Sequence, residues 1–383
     1  EGIGPMALAT YQQVRPWAAV IKDRVQKRIM PPWHIDPTVG IQKFKDDFSL
    51  SRDEIDTIVA WADAGALEGD PAHLPSPVEW PSGGDWQLAE ILGPPDLVIS
   101  SPAYTVLADG QDQWWEPNVP FEGLDKERWL RGAEFKPAYP LGVKVVHHGH
   151  AVLFRPGEPS TALARYGVGK TWEMFPEGVG MKVAPGGTIN WNLHYFPIGE
   201  PVKDDVVQVG LWFYPEGEKP ELETAGEVMF RVDGMNGMSR GQDILIAPHG
   251  YQVLQGVHVL EEAALIHSFR PHLHMRGKKM TMEAIFPDGR KEVLSQVDNY
   301  NHNWQLAYLY EDDVKPLLPK GTVLLFTTVF DNTANNPINP DPNQWVVFGR
   351  RGVDEMSHAW VGITYLDDAQ FARMAAERRI ETN

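Results

Sequence analysis

Hydrophobic positions near the start of the chain recur at helical spacing. Trp17, Ile21, Val25 and Ile29 fall four apart, Pro16 suits a first helical turn, and Pro31-Pro32 ends the run. Farther on, Ser51 and Glu54 have the form of a capping box ahead of "IDTIVAWADAG", with Gly65 placed as a C-terminal cap. These patterns predict a small helical segment over residues 1–75. The stretch "GDPAHLPSPVEWPSGG", residues 69–84, reads as a proline-rich linker.

Beyond the linker the texture changes. Short β-branched and aromatic runs alternate with Gly/Pro turns at 143–154, 188–196, 205–214, 263–269, 280–286, 322–330 and 359–365. Such spacing predicts antiparallel β-sandwiches. The polar stretch "EGEKPELETAGE", residues 216–227, is the candidate seam between two of them, and residues 368–380 read as a closing amphipathic helix. The expected architecture is mainly β. Two antiparallel, jelly-roll-like sandwich domains, 76–224 and 225–383, follow the helical segment.

Composition narrows the chemistry. The 35 glycines and 32 prolines among 383 residues suit many turns, and the net charge of -18 argues against nucleic acid or an anionic membrane as partner. Cysteine is absent, which excludes disulfides, thiol nucleophiles and cysteine metal sites within these residues. No apolar run approaches the length of a membrane span, so no transmembrane segment is expected. The start at Glu1, without initiator methionine or signal peptide, gives the expectation of a processed or truncated product.

The histidines carry the functional signal. Isolated ones, such as His73, His249, His258 and His267, are expected to be satisfied polar residues. Three groups differ. His147-His148 sits in the strand-like "GVKVVHHGHAVLF", where each imidazole needs a hydrogen-bond partner or a metal. Neighbours on a regular strand point to opposite faces, so these two share an ion only through a twist or bulge. Ligation through Nδ1 of one and Nε2 of the other would ease this, and Gly149 gives the backbone room. His194 in "TINWNLHYFP" can complete a three-histidine site. In "RPHLHMRG", His272 and His274 share one strand face at chelating distance. Three imidazoles suit copper or zinc, and a thioether added to two imidazoles favours copper.

The order His-His, His in "HY", His-x-His, then Met in "VDEMSHAW" resembles the copper type II, ascorbate-dependent monooxygenases, such as peptidylglycine α-hydroxylating and dopamine β-monooxygenase. The resemblance covers roughly residues 85–367. Further stretches, "MPPWH", "PDGR", "NWQLAY" and "FDNTANNPINPDP", are similar to bacterial members that carry the module behind a cytochrome-c-like segment. It implies two β-sandwich domains with one copper each. His147, His148 and His194 would hold the electron-transfer copper, while His272, His274 and Met356 would hold the one that meets O2 and substrate. Each turnover would insert one oxygen atom into a C–H bond of a small organic molecule. Two electrons would come from ascorbate or a cytochrome, in a periplasmic or secreted setting.

The resemblance also marks substrate positions. Arg270 stands two residues before His272, where the peptide-amidating enzyme has a carboxylate-binding arginine, and is open to that role if no protein acid claims it. That enzyme's Asn and Tyr after the methionine are replaced by His358 and Trp360, which argues against a glycine-extended peptide. In the helical head, "GIGPMALATY…MPPWH" is similar to the part of a cytochrome-c-like domain that follows CxxCH, which would make Met30 an axial haem ligand. The other reading is a helical clamp with Met30 packed in its core. A non-catalytic copper or electron-transfer subunit of a larger assembly would use the same metal ligands without a substrate.

Overall fold

A computed structural model of the chain describes residues 6–74, 76, 85–110, 112–138, 141–158, 160–167, 171–233 and 243–381. Most of the expected linker, residues 75 and 77–84, lies outside the described residues. The chain is mainly β, with 41% strand and 15% helix. It divides into two compact units, Glu1–Trp33 with Phe48–Lys219, and His34–Asp47 with Pro220–Asn383. Among the described residues no helix is long and apolar enough to cross a membrane.

The helical head is thinner than its periodicity suggests. Among the described residues it consists of the single turns Tyr11–Val14, Arg15–Trp17 and Pro71–His73 and the helices Ala18–Gln26 and Arg52–Asp63. The first long helix stops before Ile29 because Arg28 turns left-handed, φ 52°. The amide of Arg28 then bonds Val25 and that of Ile29 bonds Arg24, which is a Schellman ending without its usual glycine. The second helix has the expected capping box, Ser51 to Glu54, and ends the same way around Gly65 at φ 91°. Residues 34–47 are not helical. Ile35 bridges Val297 and Phe44 bridges Tyr310, which places this stretch in the second unit.

In the first unit, one antiparallel sheet runs in the order Leu97–Ser100, Val207–Phe213, Arg128–Pro137, Val179–Val183, with Trp172–Met174 also paired to Arg128–Pro137. A second runs Gln113–Trp115, Thr188–Tyr195, Val146–Phe154, Thr161–Gly167, and Asn118–Pro120 also joins Thr188–Tyr195. Their inner residues form one core. Leu130, Phe135, Val209 and Leu211 come from one sheet; Leu153, Ile189, Trp191, Leu193 and Tyr195 come from the other. The alternation along Thr188–Tyr195 decides the next step: Ile189, Trp191, Leu193 and Tyr195 face the core, so His194 faces outward.

The second unit repeats the plan. One antiparallel group is Leu222–Arg231, Ser357–Leu366, Ala263–Leu273, Tyr308–Leu309; the other is Tyr251–Val259, Val323–Asp331, Gly277–Ile285, Lys291–Val297. Ile266, Phe269, Val361 and Ile363 from the first and Met280, Met282, Leu324 and Phe326 from the second are buried. A closing helix, Asp368–Glu381, starts from a reciprocal cap between Asp367 and Gln370.

Candidate metal centre

The run expected as one strand from 143 begins instead with a helical turn, Gly142–Val145, and becomes a strand at Val146. There the pairing slips. Tyr195 pairs with Val146 while His194 pairs with His148, so His147 is an extra residue opposite no partner, a β-bulge. Regular alternation would send His147 to the core side with Gly149 and Ala151. The bulge releases it, and both histidines reach the same point. Gly149 serves close packing: a Cβ there would meet Phe135 Cζ at 2.5 Å.

His148 and His194 are cross-strand partners and thus share the outer face. The three Nδ1 atoms converge, with 3.3 Å from His147 to His194, 3.4 Å from His147 to His148 and 3.3 Å from His148 to His194. An ion bound to three imidazoles at ~2.0 Å, with angles between tetrahedral and trigonal, needs nitrogens roughly 3.3–3.5 Å apart. The group therefore fits a metal ion as it stands. All three present Nδ1, and the mixed Nδ1/Nε2 arrangement expected for the adjacent pair is not used.

Aromatic rings and a carboxylate lie around this group. Trp114 stacks flat on His194, 4.2 Å between centroids at 7°, and meets His148 edge-on at 5.2 Å. Phe196 packs against His147 at 4.4 Å and His194 at 5.1 Å. Asp112 Oδ2 lies 3.1 Å from His194 Nε2. Neither Asp112 nor Trp114 carries a sequence signal of its own. Only strand alternation, two residues apart, could have coupled them.

The second expected pair sits in the second unit. His272, next to last in strand Ala263–Leu273, pairs with His358, and His274 lies just past the strand end, with ring centroids 5.3 Å apart. The Nδ1 of His272 meets Gln305 Oε1 at 2.8 Å, and that of His274 meets the Asp354 carbonyl at 3.2 Å. Donation from both Nδ1 positions leaves both Nε2 lone pairs for an ion. Burial holds His272 well below the usual imidazole range and lowers His274 to about 4, so both rings are neutral, as ligands must be. Met356 directly precedes Ser357, the partner of Leu273, which sets its backbone level with His274. Two other methionines near the pair in sequence, Met280 and Met282, are fully buried core residues.

Glu355, beside Met356, accepts from the amides of His274 and Arg276, and burial pushes it up to about 8. His358 is buried and stacks on His272 at 4.4 Å, with Trp360 edge-on to it at 5.5 Å. Arg270 does not meet the condition set for substrate binding. Its Nη2 donates to Glu227 Oε2 at 2.5 Å, with both side chains nearly buried, and its guanidinium lies 5.7 Å over Trp360. The acid that claims it, Glu227, comes from strand Leu222–Arg231, which lies across Ser357–Leu366 from the Arg270 strand and overlaps the polar stretch 216–227.

Met30 is 38% exposed in the loop after the first long helix, so it is not packed in a core. His249, His258 and His267 bond Asn343, the Arg231 carbonyl and Thr364, as isolated histidines should.

No protein-family model matches the chain, and no curated protein is significantly similar to it. Among solved structures, PNGF-II overlaps 70% of this chain at 9% identity with a TM-score of 0.28, and the chain covers 65% of that protein's length. The infectious bursal disease virus VP2 subviral particle overlaps 72% of this chain and 73% of its own, at 10% identity and TM-score 0.19. The vicilin from Solanum melongena overlaps 73% and 76%, at 10% identity and TM-score 0.15. Scores this low carry no inference about function.

Proposed function

We propose that the chain is a copper-dependent monooxygenase built from two copper-binding β-sandwiches. It would insert one atom of O2 into a C–H bond of a small organic substrate, with two electrons from ascorbate or a cytochrome. The carrying observation is the convergence of the His147, His148 and His194 Nδ1 atoms at metal-ligand separations. It is joined by a neutral His272/His274 pair whose Nδ1 positions are already engaged. Copper bound at these places would supply one-electron transfer at the first and O2 chemistry at the second.

The chain's own residues divide the work. His147, His148 and His194 hold the electron-transfer site on an outer sheet face. Gln305 and the Asp354 carbonyl fix the rings of His272 and His274, and Met356 adds the soft sulfur that favours the reduced ion. Trp360, half-buried, would offer an aromatic wall to the substrate, whereas His358 is buried against His272 and backs that ring instead of meeting substrate. Arg270 is committed to Glu227, so an anionic tail is not required of the substrate. A c-type haem needs cysteines that this chain does not contain, so any haem partner of Met30 would be held by cysteines outside these residues. A periplasmic or secreted location suits O2 and copper chemistry of this kind.

The test is metal analysis followed by O2 uptake with a reductant and candidate substrates. The reading expects two coppers per chain and reductant-dependent O2 uptake coupled to hydroxylation. It also expects Met356→Ala to lose hydroxylation while the three-histidine copper stays bound. Copper at both places with no O2 uptake under any reductant would favour the non-catalytic electron-transfer subunit. No copper at all would refute both.

A further inference from the structure

We propose that Asp112 and Trp114 are positioning residues that preset the ring of His194, in both tautomer and plane, before any metal arrives. The inference rests on the metal-site reading of His147, His148 and His194 and assigns a role to residues outside that ligand set. Trp114 is the direct cross-strand partner of His194 in the pairing of Gln113–Trp115 with Thr188–Tyr195. Paired residues share a sheet face, and Asp112, two positions before Trp114, returns to it. One short strand edge therefore brings both side chains to one imidazole.

Each accessible aspect of that ring has an occupant. Trp114 covers a face at 4.2 Å and 7° from parallel, and Phe196 lies 5.1 Å away, inclined at 50°. The Asp112 carboxylate stands 3.1 Å from Nε2. Nδ1 is left toward the Nδ1 atoms of His147 and His148, 3.3 Å from each. A free imidazole exchanges between its Nδ1–H and Nε2–H forms, and only the second offers a lone pair on Nδ1. The Asp112 contact is an ion-pair approach, not an in-line hydrogen bond, and the negative charge beside Nε2 favours the proton there and raises the basicity of the opposite nitrogen. The flat indole supplies the other constraint by resisting rotation of the ring about its Cβ–Cγ bond.

The experiment uses the full chain, with Asp112→Ala, Asp112→Asn and Trp114→Ala. Asp112 is about half exposed, so its variants should fold, which far-UV circular dichroism and melting confirm. Imidazole ¹⁵N spectra of the metal-free protein read the tautomer directly. The expectation is a single Nε2–H form at His194 in the parent and a mixture in Asp112→Ala. Asp112→Asn keeps a polar oxygen without the full charge and should rescue part of the parent state. Copper(II) affinity, by competition with a chelator of known strength, should fall ~10–100-fold in Asp112→Ala and clearly less in Asp112→Asn. Trp114→Ala should weaken copper binding while leaving the Nε2–H form in place, which separates the two roles. An Nδ1–H form in the parent, or unchanged tautomer and affinity in Asp112→Ala, overturns the proposal. If the parent binds no copper yet its tautomer depends on Asp112, the metal reading falls and the positioning role stands. If copper binds equally in parent and Asp112→Ala, the reverse holds.

Discussion

Replacing Gly149 with alanine tests whether the metal site depends on how its strand packs. An alanine Cβ would sit 2.5 Å from Phe135 Cζ, 2.9 Å from Leu193 Cδ2 and 3.1 Å from Phe135 Cε1. Carbon atoms in contact prefer about 3.5–4.0 Å, so the overlap with the ring is about 1 Å. Phe135 has little room to withdraw, because Tyr166 stacks on it at 5.5 Å and Trp191 meets it edge-on at 5.9 Å. Overpacking of this kind costs ~1–3 kcal/mol. Removing a glycine from a strand returns ~0.5–1 kcal/mol. With an overlap near 1 Å the cost falls in the upper half of that range, about 2–3 kcal/mol, so the net loss should be about 1–2.5 kcal/mol, a melting shift of roughly 2–10 °C for a unit of this size. Gly149 follows His148, so relief of the clash also moves a ligand, and copper(II) affinity should fall with stability. Denaturant unfolding of the metal-free chain measures the first effect and chelator competition the second. Phe135→Leu should be less harmful in the Gly149→Ala background than alone, since it removes the clashing ring atoms. Unchanged stability in Gly149→Ala, or strict additivity with Phe135→Leu, would refute the packing argument.

Three further outcomes are expected. Copper(II) or zinc at a hundredfold its dissociation constant should stabilise the fold by ~2.7 kcal/mol, and His148→Ala should abolish the response; a parent whose melting ignores metal would remove the three-histidine site. Burial raises Asp205 to about 6 despite the Tyr195 hydroxyl beside it. The folded state then favours its neutral form, so this group's contribution is full below its unfolded value near 3.8 and is lost as pH rises through about 6. The loss amounts to about 3 kcal/mol. Asp205→Asn should therefore gain stability over the parent at pH 8 and little at pH 4, and equal gains at both would contradict the assignment. Arg270→Gln should cost ~3–5 kcal/mol by stranding buried Glu227, and Glu227→Gln should restore much of it; normal stability with a raised KM for anionic substrates alone would return Arg270 to substrate binding.

What the sequence discloses is what depends on near neighbours. The capping box at Ser51 and Glu54 and the glycine ending at Gly65 act within one or two turns, so their residues announce them. The ending at Arg28 has the same hydrogen bonds but no glycine, and the periodic Ile29 suggested a longer helix. Strand Thr188–Tyr195 is legible because its apolar residues alternate. Strand Arg128–Pro137 is not, because buried Glu134 and Lys136 interrupt the pattern. Glu134 accepts from the amides of Gln87 and Leu88, and Lys136 lies 4.3 Å over the Trp86 ring, both partners far off in sequence. The need for a bulge at His147-His148 follows from strand geometry alone. Its position, Tyr195 against Val146, depends on the partner strand, and so do Asp112 and Trp114.

The two histidine sets leave opposite nitrogens available, and the backbone explains why. Nδ1 is the ring nitrogen nearer the main chain, so three Nδ1 atoms meet only if three backbones come close. The direct pairing of His148 with His194, with the extra residue His147, provides that closeness. The result is compact, ringed by Trp114 and Phe196, and suited to an ion whose coordination should change little when an electron passes. At His272 and His274 the Nδ1 positions are spent on Gln305 and the Asp354 carbonyl, so any ligation would fall to Nε2 at the far edge of each ring. As proposed above, Met356 would supply the third ligand to an ion held by that pair. That ion would keep a side open to O2. Under the proposed reading, the difference in nitrogen is thus a difference in task. A histidine variant that restores metal binding at the first site through Nε2 should bind copper yet transfer electrons more slowly, because a looser ligand set must reorganise with each change of charge.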